Sequence, residues 1–300
     1  MNSGDALLAL YWTVSGPVEV HGGREWSLFD LADRCEQASR AGFEGIGLWH
    51  ADLEHVLEKR SFADVKRLLD DNGLEYLELE CLLDWFLDPD DEQRKAADST
   101  RELLFEAAAA LDAHHIKVAN IFSRPCELPL LTERYAELCA EAAERHGARM
   151  VYEFMPPDVN VRDIDTALAV VEGADSPNAA VAIDTWHMAK LGIQPAELVR
   201  IPPSLFGWFE LSDGHYRNLP DPVDETINHR ALPGEGEFPI AEYVAAARDA
   251  GYDGPWGVEV LSAALRSLPL EEAANRAYET TPAPRPRSWD RSRRSNRATS

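Results

Sequence analysis

The sequence predicts an α/β protein, a single-domain (β/α)8 TIM barrel that spans residues 1–280. Eight short apolar or β-rich runs alternate with amphipathic stretches over this part of the chain. Four of the later runs end in an acidic residue, which places charged side chains where strands of a barrel emerge at one rim. A length of 300 residues fits such a barrel as one domain.

Strand and helix signals alternate in the first half of the chain. Glu75–Cys81 alternates apolar and polar residues as a strand does, and Gln93–Asp112 is rich in the helix former Ala. Gly73 and Gly147 follow two predicted helices, as C-terminal stop signals do. The predicted strands are Ala6–Thr13, Gly45–Trp49, Glu75–Cys81 and His115–Ala119, and the helices are a stretch from Ser27, Ser61–Asn72, Gln93–Asp112 and Thr132–His146.

The second half repeats this scheme. The predicted strands are Arg149–Glu153, Ala180–Ile183, Leu205–Leu211 and Trp256–Val260, and the helices are Ile164–Glu172, a short one near Pro195, Pro239–Ala250 and Leu270–Thr280. Strands that alternate with helices indicate a parallel sheet. An open doubly wound sheet is the alternative, but no GxGxxG motif follows the first strand.

The charge distribution excludes some classes of partner. The formal net charge is −24, and residues 281–300 hold six Arg and one Asp, so the first 280 residues carry −29. A body this acidic repels phosphate backbones, which disfavours nucleic acid as a partner and a metal-dependent endonuclease as the function. The Arg/Ser/Pro tail, residues 281–300, has too few apolar residues to fold, so we expect it to be disordered.

The location of the protein follows from the absence of targeting signals in the sequence. No stretch approaches the roughly 20 apolar residues of a membrane span. The N-terminal segment MNSGDALLAL lacks the basic region and cleavage site of a signal peptide. We therefore expect a cytoplasmic protein with no membrane partner.

Acidic residues mark the ends of four successive predicted strands. They are Glu153 in VYEF, Asp184 in VAIDTWH, Glu210 in WFELSD and Glu259 in WGVEV. The carboxyl ends of neighbouring parallel strands meet at one rim, where barrel enzymes have their active sites. Carboxylates brought together repel one another unless a cation compensates them, and oxygen ligands suit hard divalent ions. We therefore expect one divalent metal ion to bind these four side chains.

The motifs VYEF, IDTWH, FELSDG, LPGEGEF and GVEV, in this order, resemble the sugar phosphate isomerase/epimerase family of xylose-isomerase-like TIM barrels. That family includes ketose 3-epimerases, hydroxypyruvate isomerases and inosose dehydratases. The resemblance covers nearly the whole chain to about residue 280, and its motifs lie mainly in the second half. Each motif alone is weak evidence for the family, whereas the order and separation of all five motifs are specific to it.

The resemblance implies a metal site at the same four positions. Epimerases of this family bind the metal through a Glu, an Asp, a His and a second Glu, which match Glu153, Asp184, position 210 and Glu259. Glu210 departs from this pattern, because an epimerase usually has His there and dehydratase-like members often have Gln. A carboxylate in place of a neutral nitrogen favours Mn²⁺ or Mg²⁺ over Zn²⁺.

Substrate-binding residues are also implied by the resemblance. His187, three residues after Asp184, matches the family's substrate-contacting His, and Arg230 matches an Arg that precedes the LPGEGEF loop. For Arg230 a surface ion pair is the alternative. Trp49 and His50 are candidates for the pocket wall, since aromatic residues at a barrel mouth commonly stack on sugars; burial in the core is the alternative.

These residues predict a reaction through an enediolate. A divalent ion bridging a hydroxyl and an adjacent carbonyl would acidify the C–H bond between them. In this family the first and last metal ligands, here Glu153 and Glu259, move the proton, which predicts a sugar isomerase or epimerase. Loss of a β-leaving group from the same enediolate would give a lyase instead, either a dehydratase or a deglycosidase of 3-keto glycosides.

A third reading is a non-catalytic sugar-binding subunit, which the intact acid/base pair disfavours. In each case the expected partner is a small-molecule sugar or sugar derivative. The sequence leaves open which sugar is bound and whether the protein forms a homo-oligomer.

Overall fold

The computed structural model describes residues 6–282, apart from residues 123 and 146. Within this part of the chain, eight parallel strands form a closed barrel in chain order, and β8 pairs with β1. The strands are β1 Leu7–Ala9, β2 Gly45–Trp49, β3 Tyr76–Leu82, β4 His115–Ala119, β5 Arg149–Glu153, β6 Ala179–Asp184, β7 Phe206–Leu211 and β8 Trp256–Val258. The predicted (β/α)8 barrel is confirmed. The predicted tail lies outside the described residues from position 283 onwards.

Helices connect the strands on the outside of the barrel. They are α1 Tyr11–Val14, α2 Leu31–Ala41, α3 His50–Leu57, α4 Phe62–Asp71, α5 Glu92–Leu111, α6 Leu128–Arg145, α7 Ile164–Gly173, α8 Thr185–Leu191, α9 Pro222–Asn228, α10 Ile240–Asp249, α11 Ala263–Arg266 and α12 Leu270–Thr280. The segment near Pro195 is a 3₁₀ helix, Pro195–Arg200. No helix among the described residues is both long enough and apolar enough to cross a membrane.

Local capping signals explain where several helices begin. Asp30 accepts a hydrogen bond from the Ala32 amide at the start of α2. At α4, Ser61 and Asp64 form a reciprocal capping box. Gly42 ends α2 with a φ of 113°, a left-handed conformation that favours glycine.

The first predicted strand, Ala6–Thr13, is wrong in its second half. The strand ends at Ala9, and the next residues form the short helix α1 at the rim. The apolar residues of α1 resemble a strand in sequence. What holds them in a helix is a long-range contact: Thr13 Oγ1 donates a hydrogen bond to the Val258 carbonyl at 2.7 Å, and this partner lies 245 residues away. This turn is therefore stabilised by the closed barrel. The rim helices α3, α8, α9 and α11 were also not predicted, because they are too short to show a helical period.

Inward-pointing side chains fill the lower part of the barrel and set the floor of the site. Leu8, Leu10, Val151, Ala180, Ala182 and Trp208 form one buried apolar cluster. Trp208 fits because Gly257 faces it: a Cβ built on Gly257 would lie 2.8 Å from the indole. Two residues further along β5, β6 and β7, towards the carboxyl ends, are the charged residues Glu153, Asp184 and Glu210.

Candidate active site

The barrel brings the four predicted carboxylates together. Glu153 and Asp184 are the last residues of β5 and β6, Glu210 lies in β7 opposite Asp184, and Glu259 follows β8 directly. All four are buried, and one carboxylate oxygen from each lies within 4.8 Å of the others. The four carboxylates that the strand-end pattern predicted to meet therefore do lie together. That they bind a metal ion stays a prediction.

A lysine that the sequence reading missed lies in the middle of this cluster. Lys117, on β4, is only 2% exposed. Its Nζ donates to Glu210 Oε1 at 2.7 Å and to Glu259 Oε1 at 2.9 Å. It also lies 3.0 Å from Glu80 Oε2 and 3.8 Å from Glu153 Oε2. The sequence signal was available: a lysine inside the apolar strand run HIKVA has to point into the barrel or out among the helices.

A second charged layer, also missed, lies beneath the rim. Glu78, on β3, is fully buried, and its Oε1 lies 3.0 Å from His115 Nε2 and 3.6 Å from Lys117 Nζ. On β7 the Trp208 indole N–H donates to Glu210 Oε1 at 2.7 Å. These hydrogen bonds hold the inward side chains in place. The paired polar atoms are buried away from water, so breaking a hydrogen bond would leave its donor and acceptor without a partner.

Burial and Lys117 set the electrostatics of the cluster. Burial would raise the pKa of Glu153, but the Lys117 ammonium and His187 lower this pKa to about 2. Burial and the neighbouring Glu259 raise the pKa of Glu210 well above its usual range, although Lys117 opposes them. Glu153 is therefore ionised at neutral pH, whereas burial and the neighbouring carboxylates disfavour a negative charge on Glu210.

Arg230 is buried within the cluster, so its alternative as a surface ion pair is wrong. Its Nη1 donates to Asp184 Oδ2 at 2.6 Å and to Glu259 Oε2 at 3.2 Å. The guanidinium carbon lies 4.9 Å from the centre of the Trp186 ring, a cation–π distance. Two of the predicted metal ligands thus already share one positive partner.

His187 lies on α8 with its ring between two carboxylates. Its Nε2 is 3.3 Å from Glu153 Oε1 and 3.5 Å from Asp184 Oδ2. The other ring nitrogen, Nδ1, is buried and has no hydrogen-bond partner among the described residues. Asp184 places the ring, since its side chain caps α8 by accepting from the Trp186 amide at 2.7 Å.

A cavity of about 790 Å³ opens above the cluster. Its floor carries the charged residues Glu80, Lys117, Glu153, His187, Arg230 and Glu259, and aromatic residues of its wall are Trp12, Trp49, Phe122 and Trp186. The volume is that of an ordinary small-molecule site. Asp184 and Glu210 lie deeper, at 0% exposure, so a ligand in the cavity meets Glu153 and Glu259 first.

The structure separates the two pocket candidates of the second strand. Trp49 lines the cavity, and its indole N–H donates to Glu25 Oε2 at 3.0 Å. His50 instead lines a smaller adjoining cavity of about 380 Å³. Burial lowers the pKa of His50. Trp49, the last residue of β2, lines both cavities, and its ring centre lies 4.4 Å from that of His50, the first residue of α3.

The family model described as Xylose isomerase-like TIM barrel matches residues 35–282. This chain belongs to that family. The 3-dehydroshikimate dehydratase of Pseudomonas aeruginosa is 27% identical to this barrel over 248 residues, 81% of the chain and 38% of that protein. The inosose isomerase of Bacillus velezensis is 21% identical over 263 residues, 85% of the chain and 91% of that protein. The barrel thus spans only 38% of the length of the dehydratase.

Solved structures share the fold of this xylose isomerase-like barrel. The crystal structure of IOLI protein with a binding zinc atom has a TM-score of 0.77 and 18% sequence identity to it. The similarity covers 92% of this chain and 96% of that one. Proteins that are similar to the barrel are therefore enzymes of isomerase and dehydratase type, and one structure of the same fold holds a metal.

Proposed function

We propose that this chain is a divalent-metal-dependent isomerase or epimerase that acts on a small sugar or sugar derivative through an enediolate. The observation that carries the proposal is the group Glu153, Asp184, Glu210 and Glu259, of which Glu153 and Glu259 line a cavity of about 790 Å³ and the other two lie beneath its floor. A site with two carboxylates facing the ligand and two behind them suits proton transfer at a carbon next to a carbonyl.

The residues present fit a metal ion. Glu210 Oε2 is buried and receives no N–H or hydroxyl donor within the described part of the chain, and the neighbour of the buried Glu153 Oε1 is the His187 ring nitrogen at 3.3 Å. An unpaired buried carboxylate oxygen is costly, and a cation would satisfy it. All four proposed ligands offer oxygen, which favours Mn²⁺ or Mg²⁺. Bound there, the ion would polarise the substrate carbonyl and stabilise the negative charge that develops on its oxygen.

Glu153 and Glu259 are the proposed catalytic residues. Both reach the cavity from different strands, β5 and the end of β8, so they can approach a bound substrate from different sides. One would accept the proton from carbon, and the other would return a proton to the opposite face for epimerisation. Return to the neighbouring carbon would give isomerisation. Glu153 is ionised and so ready to accept a proton.

His187, Arg230 and Trp49 are the proposed substrate-binding residues. His187 and Arg230 reach the floor of the cavity and carry donors suited to hydroxyl or carbonyl oxygens. Trp49 stands on the wall beside Trp12, with ring centres 4.9 Å apart, and offers a flat apolar face for a sugar ring. His50 lines the adjoining cavity, so we propose for it contact with a larger or extended substrate only.

A lyase of the same fold is the second candidate. The P. aeruginosa relative, at 27% identity, is a 3-dehydroshikimate dehydratase, and position 210 here lacks the His of the epimerases. In this reading, the proton would be removed as before, and a leaving group on the next carbon would depart. A dehydratase would release water, and a deglycosidase of 3-keto glycosides would release an alcohol.

Proton exchange tests the enediolate that both candidates share. We expect deuterium from D₂O to enter the carbon next to the carbonyl when the protein turns over with Mn²⁺ present. Free ketoses, inososes, 3-keto glycosides and 3-dehydroshikimate would be compared by NMR, because the product distinguishes isomerase from lyase. Turnover of any of these substrates with no exchange and no loss of this hydrogen would contradict the proposal.

Metal content tests the ligand set directly. After Mn²⁺ loading and gel filtration, elemental analysis is expected to give one ion per native chain and a large loss for Asp184→Asn. Asp158→Asn is the matched control, since Asp158 is equally buried but bonds to Asn120 and Tyr152 outside the cluster. Full occupancy in Asp184→Asn would remove Asp184 from the ligand set.

A further inference from the structure

We infer that Lys117 fills a second cation site beside the proposed metal ion, and that a divalent ion would occupy this site if the ammonium were removed. The inference rests on the proposed function in one respect, namely that the first ion is also present. The second site consists of the carboxylates around the Lys117 ammonium, which are Glu78, Glu80, Glu210 and Glu259.

The ammonium has the surroundings of a bound cation. Three carboxylate oxygens lie at hydrogen-bonding distance from Nζ: 2.7 Å for Glu210, 2.9 Å for Glu259 and 3.0 Å for Glu80. An ammonium has three N–H donors, so these contacts saturate it. Glu78 is a fourth neighbour at 3.6 Å. The ligands come from β3, β7 and the end of β8, so the barrel fixes the site from several sides.

These carboxylates hold more acceptor oxygens than one ammonium can satisfy. Glu78 Oε2, Glu80 Oε1 and Glu210 Oε2 are all buried, and no N–H or hydroxyl donor in the described part of the chain bonds to them, although Glu78 and Glu210 lie close enough to share a proton. A divalent ion accepts six or more oxygen ligands and could take up such atoms. The surplus oxygens are the evidence that the site suits a cation of higher coordination.

The two proposed cation sites share ligands. Glu210 and Glu259 belong both to the neighbours of Lys117 and to the group of four predicted metal ligands. Two-metal enzymes place two cations about 3.5–4 Å apart with carboxylates between them. By analogy, the Lys117 ammonium would take the place of the second ion and share Glu210 and Glu259 with the first.

The balance of charges explains why the site favours a cation. Around the cavity floor, the six carboxylates Glu78, Glu80, Glu153, Asp184, Glu210 and Glu259 face two permanent cations, Lys117 and Arg230. Without Lys117, the β3 carboxylates would have no lysine or arginine close by among the described residues, and the His115 ring, 3.0 Å from Glu78 Oε1, would be their nearest basic group. Buried charges without a partner take up a proton or an ion.

The test compares native protein with Lys117→Ala, which removes the charge and leaves space for an ion. Both proteins are prepared with and without Mn²⁺, and bound metal is measured by elemental analysis after gel filtration. We expect Lys117→Ala to hold one more ion per chain than the native protein. We also expect its melting temperature to fall in EDTA and to recover with Mn²⁺ by a larger shift than in the native protein.

Lys190→Ala is the matched control. Lys190 is a second largely buried lysine at the same cavity, but it pairs with the single carboxylate Glu225 at 2.6 Å. We expect this variant to bind the native number of ions, since one carboxylate does not make a divalent site.

Each outcome decides the inference. An equal ion count in Lys117→Ala and native protein would overturn it, and so would a variant that stays unfolded even when it is produced and purified with Mn²⁺. The count in native protein decides a different matter: no ion in native protein and one in the variant would contradict the proposed one-ion enzyme, and it would overturn the second site too, because Lys117 would then fill the first. One ion in each protein would overturn the second site alone.

Discussion

Glu153→Gln is expected to lower kcat by about 10²–10⁴-fold, the loss typical of removing a general acid or base. The amide keeps the shape of the side chain but cannot accept the proton. Glu153 lies at the end of β5 and reaches the cavity, where it can meet a bound substrate. Glu259→Gln should give a loss of the same order, because Glu259 approaches the substrate from another strand.

Steady-state kinetics with metal analysis of the same samples checks this prediction. A loss in kcat that persists in Mn²⁺-saturated protein indicates proton transfer, whereas a loss that Mn²⁺ reverses indicates only ligation. Glu235→Gln is the control, since Glu235 is an exposed residue paired with Arg276 away from the cavity. Native-like kcat in Glu153→Gln would exclude Glu153 as a catalytic residue.

Arg34→Met is expected to lower the free energy of unfolding by about 3–5 kcal/mol, the cost of leaving one partner of a buried ion pair alone. Arg34 Nη2 lies 2.6 Å from Asp52 Oδ2, and each side chain is 1% exposed. Asp52 also accepts from the Ser27 amide at 2.8 Å, which ties the loop before α2 to α3. The substitution therefore leaves a buried carboxylate without its cation.

Urea unfolding of a double-mutant cycle measures this effect. Adding Asp52→Asn to Arg34→Met should restore part of the lost stability, because the neutral amide no longer needs a cation. Lys66→Met is the matched control, since the Lys66–Asp70 pair is exposed and such pairs contribute about 0–1 kcal/mol. A loss for Arg34→Met as small as that of the control would contradict the argument.

The sequence by itself determined the barrel and the four carboxylates at its rim. Alternation of apolar runs with capped helices reflects local physics, since propensity and capping act over a few residues. For this reason β4 and β5 have the predicted bounds, His115–Ala119 and Arg149–Glu153. The positions of the four carboxylates could also be predicted from local sequence, because an acidic residue directly after an apolar run indicates the end of a strand.

Only the tertiary structure decided how those carboxylates are compensated. Lys117 is one residue in a strand, and no local pattern says that its Nζ meets Glu210, 93 residues later. Whether Arg230 lies at the surface or against Asp184 likewise depends on how the barrel closes. Long-range electrostatic partners are set by which strands become neighbours, so the distances between charged groups follow from closure of the barrel and are not encoded locally.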